Sequence, residues 1–375
     1  MLDNATRWLS QYYMIDRALD FQVIYDEFMA KAKRLFVGKG TVNKLPPCLE
    51  SNSLMTDNDW RVLAAFKEVL EDFHYVIKSL QGDGKKRKRR GGVEETMGLM
   101  AEVTEAFEFL LKRLETAKER IHDYPESKQF AVNINLGWAK LDKYYSHLSD
   151  SPVYYGAAAL NPALSWQWFE STWDLEDGKA WVQDAKRAVQ RLWDEEYRDL
   201  EPTMASKQSE EGPAQKKRKT NLSNWDRYKE SNRRSQTPTS ASSPVAIVNP
   251  TIDEYAHWQA TRFPTDSAVD DPIQYWKDRV DLYPRLSRMA LDVMTVPAMS
   301  AEVERLFSAV GLMVTPLRNR LDASTIGLIQ TLRSWLKAGI IDSLDDILLD
   351  DGLLAGLLEE EGQFNSVAED DDMDD

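Results

Sequence analysis

The stretch that decides the fold reads Ser300-Ala301-Glu302-Val303-Glu304-Arg305-Leu306-Phe307-Ser308, then Gly311, then Thr315-Pro316-Leu317-Arg318-Asn319-Arg320-Leu321. Ser300 is a natural N-cap, since a serine hydroxyl accepts from the unpaired N–H groups of a first helical turn. Behind it Val303, Leu306, Phe307 and Val310 fall at i, i+3, i+4 and i+7, one apolar helix face, while Glu304 and Arg305 lie off that stripe. Past Gly311, Asp322 or Ser324 can cap a last helix bearing Ile326, Ile329, Leu332 and Leu336, with Trp335 beside them. Short helices with faces this wide cannot bury all of their apolar surface alone, and Phe307 and Trp335 are of the type that anchors interfaces. The face is therefore expected either to pair with a second chain or to pack on the rest of this one.

Working back toward the N-terminus, Ile273 to Tyr283 reads as a helix, and Pro284 starts another carrying Leu286, Met289, Ala290, Val293 and Met294, which Pro297 stops. Together with the decisive stretch these make one compact helical block over residues 251–340. Residues 201–250 are rich in Ser, Thr, Pro, Gln and charge and poor in apolar clusters, so a disordered linker is expected there. Ahead of it, residues 1–200 read as a large helical domain. Trp8, Tyr12, Ile15, Ala18, Leu19 and Val23 recur at helical spacing, predicting a long buried helix over residues 5–37. Thr56 can cap a helix bearing Trp60, Leu63, Phe66, Leu70, Phe73 and Ile77. Further amphipathic helices are expected over residues 94–121, 130–148 and 180–197, with short ones around Asn161-Pro162. Most of the twelve tryptophans sit at core spacing, which favours packing over base stacking.

The formal charge of −15 is uneven: residues 341–375 hold fourteen Asp and Glu and no Lys or Arg, and the remaining 48 of the 62 acids nearly balance the 47 basic residues. An acidic disordered tail is expected, either plainly solubilising or, where Leu344 to Leu358 mix acids with leucines, able to fold into a partner's groove. Two basic runs, Lys85-Lys86-Arg87-Lys88-Arg89-Arg90 in a loop at 82–93 and Lys216-Lys217-Arg218-Lys219, suit a nuclear address, phosphate contact or a merely solvated loop. Two such runs favour the nucleus. The lone cysteine, Cys48, excludes an intramolecular disulfide framework, and no two of the four histidines stand at metal-ligand spacing. No run of about 18 apolar residues is present, so membrane insertion is not expected.

The 300–321 stretch resembles the C-terminal signature of the hAT superfamily of DNA transposases, S-A-x-x-E-R-x-F-S followed by T-x-x-R-N-x-L, at every fixed position. The resemblance continues upstream in Trp276, Tyr283-Pro284-Arg285-Leu286-Ser287 and Met289-Ala290. It recurs in Thr6-Arg7-Trp8-Leu9-Ser10 with Met14 and Arg17, and more weakly in Trp60, Trp138 and Asn161-Pro162, so that it covers roughly two thirds of the chain. It implies a mainly α chain: a helical insertion-type domain and a helical C-terminal dimerisation block, the remnant of an RNase H-like transposase without a complete sheet.

The same resemblance implies roles. Glu304 matches the third acidic metal ligand of the family, whose zinc finger and other two catalytic aspartates are expected to lie outside this chain. Strand transfer of this kind uses two metal ions about 4 Å apart, and one carboxylate cannot fix two Mg²⁺ ions. Mg²⁺ is therefore expected only if a complete site is supplied, and autonomous catalysis is not expected. Trp8 and Arg7 are implied near DNA. Arg318 and Arg320 suit phosphates or carboxylates equally. Dimerisation is implied through Leu306, Phe307, Val310, Ile329, Leu332 and Trp335, giving a homodimer or a pairing with related transposases. Neither a membrane nor a small-molecule substrate is expected. The alternative is a part of an active transposase that binds and cleaves transposon ends.

Overall fold

The computed structural model describes residues 9–38, 46–50, 53–81, 88–89, 92–93, 98–174, 176–201, 223–234, 253–261, 265–313, 322–338 and 341. It is mainly α-helical. Extended structure among the described residues is confined to the two-residue strands β1 (Lys88–Arg89) and β2 (Gly92–Val93) and an isolated antiparallel bridge between Leu99 and Pro297. No described helix is long and apolar enough to cross a membrane.

The helices in chain order are α1 (Ser10–Asp20), α2 (Gln22–Gly38), α3 (Asp57–Gln81), α4 (Ala101–Glu119), α5 (Ser127–Tyr145), α6 (Pro152–Leu160), α7 (Ser165–Thr172), α8 (Glu176–Leu192), α9 (Asn224–Arg234), α10 (Glu254–Ala260), α11 (Pro272–Lys277), α12 (Pro284–Met294), α13 (Ala301–Met313) and α14 (Ala323–Ala338). They fall into two compact units, one reaching Met299 and one containing α13 and α14.

In the first unit α6 is the pivot. Ala157, Ala158, Ala159 and Leu160 are completely buried. Small side chains let neighbouring helices approach closely, and Trp168, Phe169, Val189 and Trp193 from α7, α8 and the turn after it close over them. Pro152 stands in the first turn of α6, where the missing N–H costs nothing, and Ser151 caps it by accepting from the Val153 N–H. At the other end Asn161 turns the chain by accepting from the Ala163 N–H at 3.0 Å. Aromatic side chains from α10 and α11 and aliphatic ones from α12 complete the same core: Tyr255, Trp258, Tyr275 and Trp276 are all buried with Leu286, Met289 and Met294. A second cluster joins α3, α4 and α5 through Ala65, Leu114, Phe130 and Ile134. As Thr56 predicts, α3 opens on a reciprocal cap: Thr56 N–H donates to Asp59 at 2.8 Å, and Asp59 N–H donates to the Thr56 hydroxyl at 3.2 Å.

Three expectations change. The C-terminal block is divided after Met299, because α10 to α12 belong to the core of the first unit. Their buried rings need the α6 and α8 surfaces to cover them, which periodicity along one segment cannot reveal. Within the expected linker, α9 is a docked helix whose Trp225 is 2% exposed against Phe109 and Val76. Composition hid it, since Trp225 and Tyr228 are its only large apolar side chains. The predicted single buried helix at the N-terminus is two helices meeting at Phe21, and Tyr12 alone is buried among their described side chains. Residues 342–375 and most of 201–250 lie outside the described residues.

Eight of the eleven described tryptophans are buried, and several use the indole N–H as the core requires. Trp166 donates to the Tyr255 hydroxyl at 2.9 Å, Trp258 to the Tyr275 hydroxyl at 3.2 Å and Trp276 to the Leu160 carbonyl at 2.9 Å. These rings pack the interior, as their spacing predicts.

Candidate functional site

The Tyr283-Pro284-Arg285-Leu286-Ser287 run builds the entry to α12. Pro284 sits at the start of the helix, and the next two N–H groups, of Arg285 and Leu286, donate to one oxygen of the Glu254 carboxylate at 3.0 and 2.9 Å. Arg285 Nε donates to the other oxygen at 2.7 Å, and Arg285 Nη1 reaches the Arg198 carbonyl at 2.5 Å. A carboxylate at a helix N-terminus complements the exposed N–H groups and the dipole. Tyr283 meets His257 and Thr261 of the α10 turn through its hydroxyl, at 3.0 and 3.2 Å. Leu286 and Ser287 are completely buried. The run is thus a fastening between α10, α12 and the turn that follows α8, and its residues are occupied in doing so.

The α13–α14 pair has a different character. Ala301 is buried, but Val303, Leu306 and Phe307 are 52%, 45% and 70% exposed. Val310 is half-buried. On α14, Leu328, Ile329, Trp335 and Leu336 are exposed, and Ile326 and Leu332 are half-buried. The two helices pack on each other, and still leave large apolar side chains in water. Of the residues on the expected apolar faces, Leu306, Phe307, Ile329 and Trp335 are therefore exposed, and Val310 and Leu332 are half-buried. Exposed apolar surface rich in aromatic and aliphatic side chains is the mark of an association site.

Glu304 lies on α13 with its carboxylate exposed. Its N–H donates to the Ser300 carbonyl at 3.1 Å, and the Ser300 hydroxyl stands 3.4 Å from Oε1. A hard divalent cation needs several oxygen ligands. A single exposed carboxylate with one hydroxyl beside it does not fit a two-metal site. Among the described residues no group of three or more His, Cys, Asp or Glu side chains has the geometry to hold a metal ion.

The other predicted site residues fall largely elsewhere. Arg7, Trp8, Arg318, Arg320, Lys85, Lys86, Arg87, Arg90 and Lys216 to Lys219 lie outside the described residues, and Lys88 and Arg89 form β1. Sequence reasoning missed Glu254, whose partners come from 31 and 32 residues away. It also missed the exposed stripe on α2 formed by Ile24, Phe28 and Leu35; its i, i+4, i+11 spacing was there to be read, but spacing alone does not tell a buried stripe from a bare one.

A helical pair that displays this much apolar surface belongs to the class of association modules. Residues 256–336 match the family described as the hAT family C-terminal dimerisation region. Two curated proteins of Zea mays, named "Putative AC transposase" and "Putative AC9 transposase", are each 34% identical to this chain over 68 residues. That match takes in 18% of this chain and 8% of each relative. The C-terminal portion of this chain is thus similar to the hAT C-terminal dimerisation region, in a match that begins within α10 and ends on α14.

Proposed function

We propose that this chain is a transposon-derived, self-associating nuclear protein that joins a second copy, or a related transposase, through α13 and α14. The observation that carries the reading is the exposure of Val303, Leu306 and Phe307 on α13 and of Ile329 and Trp335 on α14, inside a region whose family is described by dimerisation. Burying such side chains is favourable by about 25 cal/mol per Å² of apolar surface, which is the driving force a contact here would use. In this reading Glu304 is an exposed helix residue of the association module, and the chain does not cut or join DNA by itself. The basic runs at 85–90 and 216–219 act as the nuclear address. Arg7, Trp8, Arg318 and Arg320 are at most auxiliary contacts to DNA.

The test is self-association of the full chain by light scattering against concentration. Phe307→Glu combined with Trp335→Glu is expected to raise the dissociation constant at least about tenfold, with helicity unchanged. An unaltered constant would contradict the proposal. A reading as part of an active transposase is favoured only by the relatives' names, and requires carboxylates that would join Glu304 from another chain or from sequence beyond this one. Strand cleavage by the purified chain with Mg²⁺ would establish it.

A further inference from the structure

α9 lies in a groove of α3 and α4 whose floor is Val76, Ala106, Phe109 and Leu110. Trp225 and Tyr228 enter it side by side, each ring 5.2 Å from that of Phe109. The rest of the contact is polar and runs the length of the helix. Asn224 donates to Asp72 at 3.0 Å, Lys229 reaches Glu102 at 3.2 Å and Asn232 donates to Glu105 at 2.9 Å. Lys229 also lies over the Trp225 ring at 5.1 Å, and Arg233 pairs with Asp270, just before α11, at 2.7 Å. An apolar floor with three acids beside it thus meets a helix that carries two rings, two bases and two amides.

This closure carries two costs. The Trp225 indole N–H is buried with no hydrogen-bond partner among the described residues, so the hydration it gives up is not replaced. The Glu105 carboxyl is buried where Asn232 meets it, and covering a carboxyl disfavours its ionised form. A segment held by few apolar contacts, with unmet polar groups beneath it, opens at a lower free energy than the core it lies on. α6, with four successive side chains completely buried, is the contrasting case in the same unit.

We propose that the α3–α4 groove is a docking site for a basic helix bearing aromatic rings, and that α9 is its detachable occupant, leaving and returning while α6 and the core around it stay folded. Closure is tied to a proton. The charged and titratable groups around Glu105 are Lys229, Arg233 and Tyr228 on α9 and Glu102 on α4, with Glu108 further along α4 facing Tyr228. α3 reaches the cluster through Ser79, which donates to Glu102 at 3.4 Å. Burial raises the Glu105 carboxyl to about 7 in the closed state, against the pull of Asn232 and Lys229. When α9 leaves, that burial goes and the carboxyl returns toward its ordinary 4.5. Closure is therefore strongest below 4.5 and weakens as pH rises through about 7, by about tenfold between pH 6 and pH 8.

Hydrogen exchange on the full chain, read by mass spectrometry, tests the detachment without any substitution. Corrected for intrinsic rates, protection of the α9 amides should lie well below that of the α6 amides and fall about tenfold from pH 6 to pH 8. In Glu105→Gln it should hold constant over that range. A second measurement tests the groove. Trp225→Ala in the full chain should keep the rest of the helical content by circular dichroism and bind a fluorescein-labelled peptide of residues 222–235. The unaltered chain, with α9 in place, should bind that peptide at least about tenfold more weakly. Equal protection of α9 and α6 would overturn the inference, as would a Glu105→Gln profile parallel to the wild type. A folded Trp225→Ala chain that does not take up the peptide would also overturn it. So would a Trp225→Ala chain that loses its helical core, since the core would then require α9.

Discussion

The indole N–H of Trp276 donates to the carbonyl oxygen of Leu160 at 2.9 Å, across 116 residues of chain. Leu160 ends α6, and the last carbonyls of a helix have no partner within it. Trp276 lies inside the family-matched region, so this bond fastens the front of the dimerisation region to the core of the domain before it. Trp276→Phe keeps most of the apolar surface and removes the donor, and is expected to cost about 1–3 kcal/mol. Trp276→Ala removes the ring as well and is expected to cost about 3–5 kcal/mol. Urea unfolding followed by circular dichroism measures both, and a Trp276→Phe chain of wild-type stability would show that the Leu160 carbonyl needs no partner.

Glu254 and Glu304 are both carboxylates on helices of the C-terminal region, and they should behave oppositely. Glu254 is buried and accepts from Arg285 and from two backbone N–H groups. Removing one member of a buried pair strands the other, so Glu254→Ala is expected to destabilise by about 3 kcal/mol. Glu304→Ala should change stability by less than about 0.5 kcal/mol, as an exposed substitution does. Thermal melts of the two variants decide this, and equal losses would contradict it.

A pH dependence follows from α9. Burial pushes the Glu105 carboxyl up to about 7; the Asn232 hydrogen bond and the charges of Lys229 and Arg233 pull it down, and Glu102 raises it further. With α9 docked, Glu105 holds its proton over a range in which the unfolded chain has lost it. Stability from this group is therefore fully present below its ordinary value of 4.5 and is lost as pH rises through about 7. Glu105→Gln should raise the melting temperature at pH 8, leave it nearly unchanged at pH 4.5, and flatten the profile between. A variant whose profile parallels the wild type would assign the slope to other groups.

The division after Met299 predicts how truncations behave. A chain ending at Met299 keeps Trp258, Tyr275, Trp276 and Met289 in the core and should melt cooperatively. Deletion of residues 251–340 takes those side chains away, uncovers α6 and α8, and should leave no cooperative transition. Differential scanning calorimetry distinguishes the two, and a cooperative melt from the second would mean that the first unit closes without α10 to α12.

What was legible in sequence follows from where the information lies. The helical class, the Thr56 cap and the apolar faces of α13 and α14 are local patterns, set within one or two turns, and they could be read directly; that those faces are exposed could not. The motif from Tyr283 to Ser287 was legible as a pattern but not as a fastening, because its partner Glu254 is distant and carries no local mark. Trp225 illustrates the opposite failure: one ring that fills a gap beside Phe109 and Val76 docks a helix whose composition is that of a linker. The bare stripe on α2 reads as a buried one in sequence, since periodicity reports that a helix has an apolar face and not what covers it.

The most direct test of the central claim is the mass of the full chain, with and without Phe307→Glu. Size-exclusion chromatography with light scattering should give a dimer for the unaltered chain and a monomer for the variant, both with the same helical content. An unaltered chain that is already monomeric, or a dimer that survives Phe307→Glu, would contradict self-association through α13 and α14.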